Sequence, residues 1–143
     1  MRVQQISIFL ENKKGRLAKV TEVLGENDIN IRALSIADTT DFGILRLIVN
    51  KPQLAYQVLK EAGFTVSTTD VIAVEVTDQP GGLSSILRHL DKVGINIEYL
   101  YAFVTQTTTA ALIVFRVEQV DEAIKVLQEN GVRIVPGDEV YQI

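Results

Sequence analysis

Apolar residues alternate at Ile6, Ile8 and Leu10, the two-residue period of a half-buried strand. A polar stretch from Glu11 to Gly15 follows, and then Leu17, Val20, Val23 and Leu24 recur at helical spacing. That spacing predicts a helix from about Gly15 to Asn27. A strand is expected from Ile29 to about Ala37, a turn at Asp38-Thr39-Thr40-Asp41, and a strand over Ile44 to Val49. Pro52 suits the first turn of a second helix, where its missing N–H has no intrahelical partner to lose. The apolar stripe of that helix reads Leu54, Val58 and Leu59, with Gly63 as its C-terminal cap and Phe64 to Thr68 as a closing strand.

The same order then returns. Val71 to Val76 reads as a strand, and Leu83, Ile86, Leu87, Leu90 and Val93 line a helix. Ile95 to Val104 and Ala110 to Val117 read as strands, and Val120, Ala123, Ile124 and Leu127 mark a fourth helix. Gly131 ends that helix, and an extended segment runs from Val132. The repetition is literal in places: Gly15 with Leu17 is matched by Gly81 with Leu83, and Ile29-Asn30-Ile31 by Ile95-Asn96-Ile97, each 66 residues on. Gly63 and Gly131 are 68 apart, which suggests a two-residue insertion near Arg116 to Val120. A repeat this long is a whole small domain, longer than one turn of a solenoid. The expected units are residues 1–69 and 70–143. Short connections and right-handed crossovers fold each β-α-β-β-α-β unit into a ferredoxin-like antiparallel sheet with both helices on one face, an α+β architecture.

Helices on one face leave the other face bare, and such faces normally read polar. Here the third strand of each unit is apolar on both parities, with Ile44 and Ile48 beside Leu45 and Leu47, and Leu112 and Val114 beside Ile113 and Phe115. Tyr99, Tyr101 and Phe103 also share one parity, where the first copy has Ala33, Ser35 and Ala37. Large residues facing small ones imply that the two bare faces meet. A β-bulge that shifts the parity and puts the aromatics in an ordinary core is the other reading of the same spacing.

At 143 residues the two units have about 70 residues each, near the lower limit for an independent core, so burial between units or between chains is expected. A net charge of −4 gives no electrostatic footprint for nucleic acid or an anionic membrane. No cysteine is present, which excludes disulfides, thiolate metal sites and cysteine nucleophiles. No long apolar run or signal peptide is visible, and a cytoplasmic protein is expected.

The turn Asp78-Gln79-Pro80-Gly81-Gly82-Leu83 followed by Gly94-Ile95-Asn96-Ile97 resembles the ACT domain, a small regulatory module that binds amino acids. Glu11-Asn12-Lys13-Lys14-Gly15-Arg16-Leu17 with Ile29-Asn30-Ile31 resembles the same module, so the resemblance spans the chain as two tandem copies. In appearance it is similar to the regulatory subunit of acetohydroxyacid synthase. The proline before the loop glycine is present as Pro80 but is Lys14 in the first copy, and Gly82 stands where the first copy has Arg16. The two pockets therefore need not be equivalent.

A loop entering a helix exposes backbone N–H groups that lack intrahelical partners, and the helix dipole favours an anion there. Gly15, Gly81 and Gly82 permit close approach of a ligand to the backbone. Asn30 and Asn96 each offer a donor and an acceptor, matching the two ends of a zwitterion. The candidate ligand-binding residues are Asn12, Lys14, Gly15, Arg16, Leu17 and Asn30 in the first copy. In the second they are Asp78, Pro80, Gly81, Gly82, Leu83 and Asn96. By resemblance, a neighbouring ACT unit supplies the remaining wall, and the protein forms a homodimer. The structural alternative for the glycines is plain turn chemistry, and for the asparagines a local cap.

Catalysis finds little support. His89 is the lone histidine and sits off its helix stripe, so solvent exposure is its default and a multi-histidine metal site is excluded. Asp38 with Asp41, and Asp121 with Glu122, suit a turn and a helix start. No G-x-x-x-x-G-K-[ST] run is present, and no cofactor is expected. The strand order also fits RNA-recognition domains, with Tyr99, Tyr101 and Phe103 as stacking candidates, but the acidic balance opposes it. The expected function is a non-catalytic amino-acid sensor. The competing reading is an interaction subunit with degenerate pockets that regulates an enzyme such as acetohydroxyacid synthase.

Overall fold

The computed structural model describes residues 1–38, 41–104 and 110–143. The first unit comprises β1 (Val3–Glu11), α1 (Arg16–Glu26), β2 (Ile31–Asp38), β3 (Phe42–Val49) and α2 (Pro52–Glu61). A long β4 (Thr65–Thr77) leads into α3 (Gly82–Lys92), β5 (Ile97–Ala102), β6 (Ala110–Val117), α4 (Val120–Glu129), β7 (Ile134–Val135) and a short α5 (Gly137–Val140). The expected turn at Asp38–Asp41 falls on Thr39 and Thr40, outside the described residues.

One strand serves both copies. The first part of β4 pairs with β1, from Phe9 opposite Thr65 to Val3 opposite Val71. From Ile72 opposite Phe115, β4 pairs with β6 instead. The strands run in the order β2-β3-β1-β4-β6-β5, with β7 also on β4. The copies align at 66 residues through α1 and α3, but at 68 already for β3 and β6. The two extra residues therefore precede Ala110, in the β5–β6 connection, and not near Arg116 to Val120 as the glycine spacing suggested.

Three apolar clusters hold the molecule. Ile6, Ile8, Leu45 and Leu47 pack under α1 and α2 with Val20, Leu24 and Leu59. Ile72, Val74, Ile113 and Phe115 pack under α3 and α4 with Ile86, Leu90 and Leu127. The third cluster joins the opposite sheet faces: Val3, Ala33 and Ile48 of the first copy meet Ala73, Tyr101, Leu112 and Val114 of the second. Val140 of α5 closes it. The chain past Val132 thus forms a two-residue strand and a helical turn where the sequence suggested a plain extended segment. Some stripe residues point out: Leu17, Leu54 and Val93 are exposed, and Ala55 takes the buried place expected for Leu54.

Both readings of the aromatic triplet contain part of the answer. Register shifts occur between Ile31 and Ala33 in β2 and between Ile97 and Tyr99 in β5. Before the shift Ile31 and Ile97 pack on the helix side, and beyond it Ala33, Tyr99, Tyr101 and Phe103 pack between the sheets. Ala33 bridges Phe103, and the Val104 N–H donates to the Arg32 carbonyl at 3.0 Å, so the two edge strands meet.

A polar group sits in this third cluster. Gln5 is fully buried. Its Oε1 accepts from the Tyr101 hydroxyl at 2.7 Å, and its Nε2 donates to the Tyr99 hydroxyl at 2.8 Å and to Ser7 Oγ at 3.0 Å. The Arg46 guanidinium lies 3.6 Å from the Tyr99 ring centroid, completing a contact between copies that burial makes costly to leave unpaired. Burial raises the Tyr101 pKa well above its ordinary value, with Tyr99 adding and Arg46 opposing. A folded pKa above the unfolded one means stability that is present below about pH 10 and lost as pH climbs further. Tyr101→Phe is therefore expected to be less stable than wild type at pH 7 but to flatten the alkaline decline. Urea titrations at pH 8 and pH 11 check this, and parallel declines in the two proteins would refute it.

Candidate functional site

The two copied glycine turns have the same backbone shape. Gly15 has φ 87° and Gly81 φ 84°, the left-handed region that glycine enters without a Cβ penalty, and each sits just before its helix. Neither helix receives a side-chain cap there. Part of the expected donor set is consumed locally. The Asn12 N–H goes to the Asp41 carbonyl at 2.9 Å, Arg16 N–H to Lys13 at 3.3 Å, and Gly82 N–H to Gln79 at 3.0 Å. The amides of Leu17 and Ala18, and of Leu83 and Ser84, are left as the first-turn donors without a side-chain cap.

In the first copy Asn12, Lys14, Gly15, Arg16 and Leu17 are all exposed. Asn12, Arg16 and Leu17 line a shallow groove of about 200 Å³ with Leu10, Ile36 and Phe42. Lys13 bonds Glu11 at 2.8 Å, and that bond holds the Glu11 carboxyl below its usual range. In the second copy Pro80, Gly81 and Gly82 line a larger cleft of about 510 Å³, on the side of α3 that faces α4 and β7. Asp78 and Leu83 flank the same turn, the former exposed and the latter half-buried.

The asparagines do not stand beside the turns of their own copies. The Asn30 N–H donates to Asn50 Oδ1 at 2.9 Å, at the end of β3, whereas the Gly15 turn adjoins the start of β3 through Asn12 and Asp41. Eight residues of strand separate the two, about 26 Å. Asn96 lies likewise beyond the C-terminal end of α3, in a groove with Arg88 and Asp91. The reason is strand direction: the helix after β1 carries the chain back, so β2 begins at the far end from the β1–α1 turn. Across the copies the relation reverses. The bridge between Ala33 and Phe103, with Thr77 paired to Ala110, puts the start of β2 at the end of the molecule that carries the Gly81 turn. Asn30 therefore shares an end with the glycine turn of the other copy.

The residues that sequence reasoning passed over are those of the larger cleft. Glu75, Ser85, His89, Val132 and Arg133 contribute to its walls. His89, expected to face solvent, is half-buried there. Arg133 Nη2 bonds both Glu139 oxygens at 2.9 Å, while its Nη1 stands 3.8 Å from Glu75 Oε2, a loose pair. A position-by-position comparison of the copies would have flagged these sites, because Val23, Lys19 and Phe64 occupy the positions of His89, Ser85 and Val132. Among the described residues no group of three or more His, Asp or Glu side chains is placed to hold a metal ion. No helix among them is long and apolar enough to cross a membrane.

The fold is a tandem pair of β-α-β-β-α-β units with duplicated left-handed turns, and the comparisons say which family has it. The family model described as "ACT domain pair" matches residues 1–143, and the chain belongs to that family of regulatory amino-acid-binding modules. Among curated proteins none matches. Among solved structures, protein BT0572 from Bacteroides thetaiotaomicron is 43% identical, with a TM-score of 0.94 over 100% of this chain and 98% of its own. The regulatory subunit of aspartate kinase from Thermus thermophilus is 17% identical, with a TM-score of 0.62 over 88% of this chain and 91% of its own. Aspartokinase III from E. coli is 17% identical, with a TM-score of 0.53 over 90% of this chain and 31% of its own. The last two likenesses concern the fold.

Proposed function

We propose that this chain is a non-catalytic, cytoplasmic regulatory protein that binds a small α-amino acid at its glycine turns and acts allosterically on a partner enzyme. The observation that carries the reading is the pair of uncapped left-handed turns, Gly15 and Gly81, within a chain of the ACT domain pair family. Free first-turn amides suit a carboxylate. The candidate residues Asn12, Lys14, Gly15, Arg16 and Leu17, and Asp78, Pro80, Gly81, Gly82 and Leu83, form the turns, while Asn30 and Asn96 act from another unit. The similar fold of E. coli aspartokinase III, whose structure holds lysine and aspartate, supports the ligand class. A homodimer fits the exposed apolar residues Leu17, Leu34 and Ile36 along α1 and β2. Binding communicates with a partner to the extent that the ligand prefers one packing of the units over another.

Titration calorimetry with the common amino acids tests this. At least one is expected to bind with a dissociation constant below about 1 mM, equivalent to about −4 kcal/mol. Silence across the panel at millimolar concentrations would count against the sensor. It would favour the interaction subunit with degenerate pockets, a reading supported by the exposed Phe9 and Phe42 rings, 4.9 Å apart.

A further inference from the structure

The two copies differ in the space behind the glycine turn. In the first copy that space is covered by Phe64 and by the Arg16 guanidinium, 5.6 Å from the Phe64 ring centroid. In the second copy Gly82 replaces Arg16 and Val132 replaces Phe64. The result is the cleft of about 510 Å³ between α3, the end of β4 and the Gly131 turn. Its walls have changed in character as well as in size. Val23 gives way to His89, Lys19 to Ser85 and Phe9 to Glu75. The buried apolar pair Val23 and Phe64 has thus been replaced by His89 and the smaller Val132, and the exposed Phe9 by a carboxylate.

We propose that the amino-acid seat of this protein is this cleft within the second unit, one per chain, and that it selects a polar α-amino acid over a branched apolar one. The inference rests on the amino-acid-binding reading above and departs from it in place. The seat is closed by the Gly131 turn of the same unit, where that reading has a wall lent by a neighbour. Arg133 Nη1 and Glu75 Oε2 stand 3.8 Å apart on one wall, too long for a hydrogen bond, so a zwitterion in the cleft can engage Arg133 with its carboxylate and Glu75 with its ammonium in exchange for that pair. His89 and Ser85 face the remaining volume with hydrogen-bonding groups, which a valine or isoleucine side chain would leave unpaired.

His89 is the chain's only histidine, so its imidazole resonances report on the cleft without assignment ambiguity. Serine, asparagine, glutamine, aspartate, glutamate, valine and isoleucine would each be titrated while those resonances and the heat of binding are followed. A polar member is expected to shift the His89 signals, to bind at one per chain, and to exceed valine in affinity by about tenfold. Val132→Phe, which restores the residue the first copy tolerates, is expected to weaken binding at least tenfold while the thermal midpoint is kept. Binding that leaves His89 unmoved and survives Val132→Phe overturns the cleft and leaves the sensor standing. Tighter binding of valine or isoleucine overturns the selectivity. No binding by any member in either measurement overturns the cleft, and silence extended to all the common amino acids overturns the sensor as well.

Discussion

Tyr101→Ala is expected to remove about 3–5 kcal/mol from the unfolding free energy of the whole chain. The ring is 8% exposed and lies in the cluster that joins the two sheets. Its hydroxyl is the partner of Gln5 Oε1, so truncation empties a cavity and also strands a buried acceptor on the opposite copy. The loss should not be confined to the second unit. β4 runs through both copies without a break, and the third cluster draws side chains from each. Two units of about 70 residues bury too little alone to unfold as independent bodies. Urea unfolding followed by tyrosine fluorescence and by backbone dichroism is therefore expected to give one coincident transition in wild type and mutant, displaced in the mutant. Two separated transitions, or a displacement of less than about 1 kcal/mol, would show that the copies are only loosely docked.

Gly82→Ala is expected to cost about 1–3 kcal/mol, the range for forcing extra volume into a packed site. Gly82 does not need a left-handed backbone, unlike its neighbour Gly81. Its constraint is space: a Cβ there would collide with the Thr77 carbonyl, which is backbone and cannot rotate aside. Either the end of β4 or the start of α3 must then move. The first copy carries Arg16 at this position, so Arg16→Gly is the matched control, with an expected cost of a fraction of that amount. Chemical denaturation of the two variants decides the matter, and equal midpoints would mean that the second turn relaxes freely.

Much of the fold was legible because it is local. Helical spacing placed Arg16–Glu26 and Gly82–Lys92 within a residue or two, and the glycines at 15, 63, 81 and 131 fall where a left-handed residue is needed. The sites of failure share a cause too. Leu17, Leu54 and Val93 match the helical period yet face out, since a stripe wider than the available core leaves its margin in solvent. Two adjoining strand signals, Phe64 to Thr68 and Val71 to Val76, became the single β4, because nothing between them stops an extended chain from pairing on with a new neighbour. The candidate turns were found and their backbone agrees with the expectation. Asn30 and Asn96 were grouped with the turns of their own copies, although the alternation of strand directions already implied that a strand after a helix begins at the far end.

By itself the sequence determined that this is a duplicated β-α-β-β-α-β chain with matched glycine turns, because periodicity and turn chemistry act between near neighbours. Which surfaces meet was decided only in three dimensions. Gln5 finding Tyr99 and Tyr101, Arg46 lying over Tyr99, and a cleft opening where Phe64 has become Val132 all depend on residues scores of positions apart. No local rule specifies such encounters, since each is settled by how the summed apolar faces of two sheets can be covered at once.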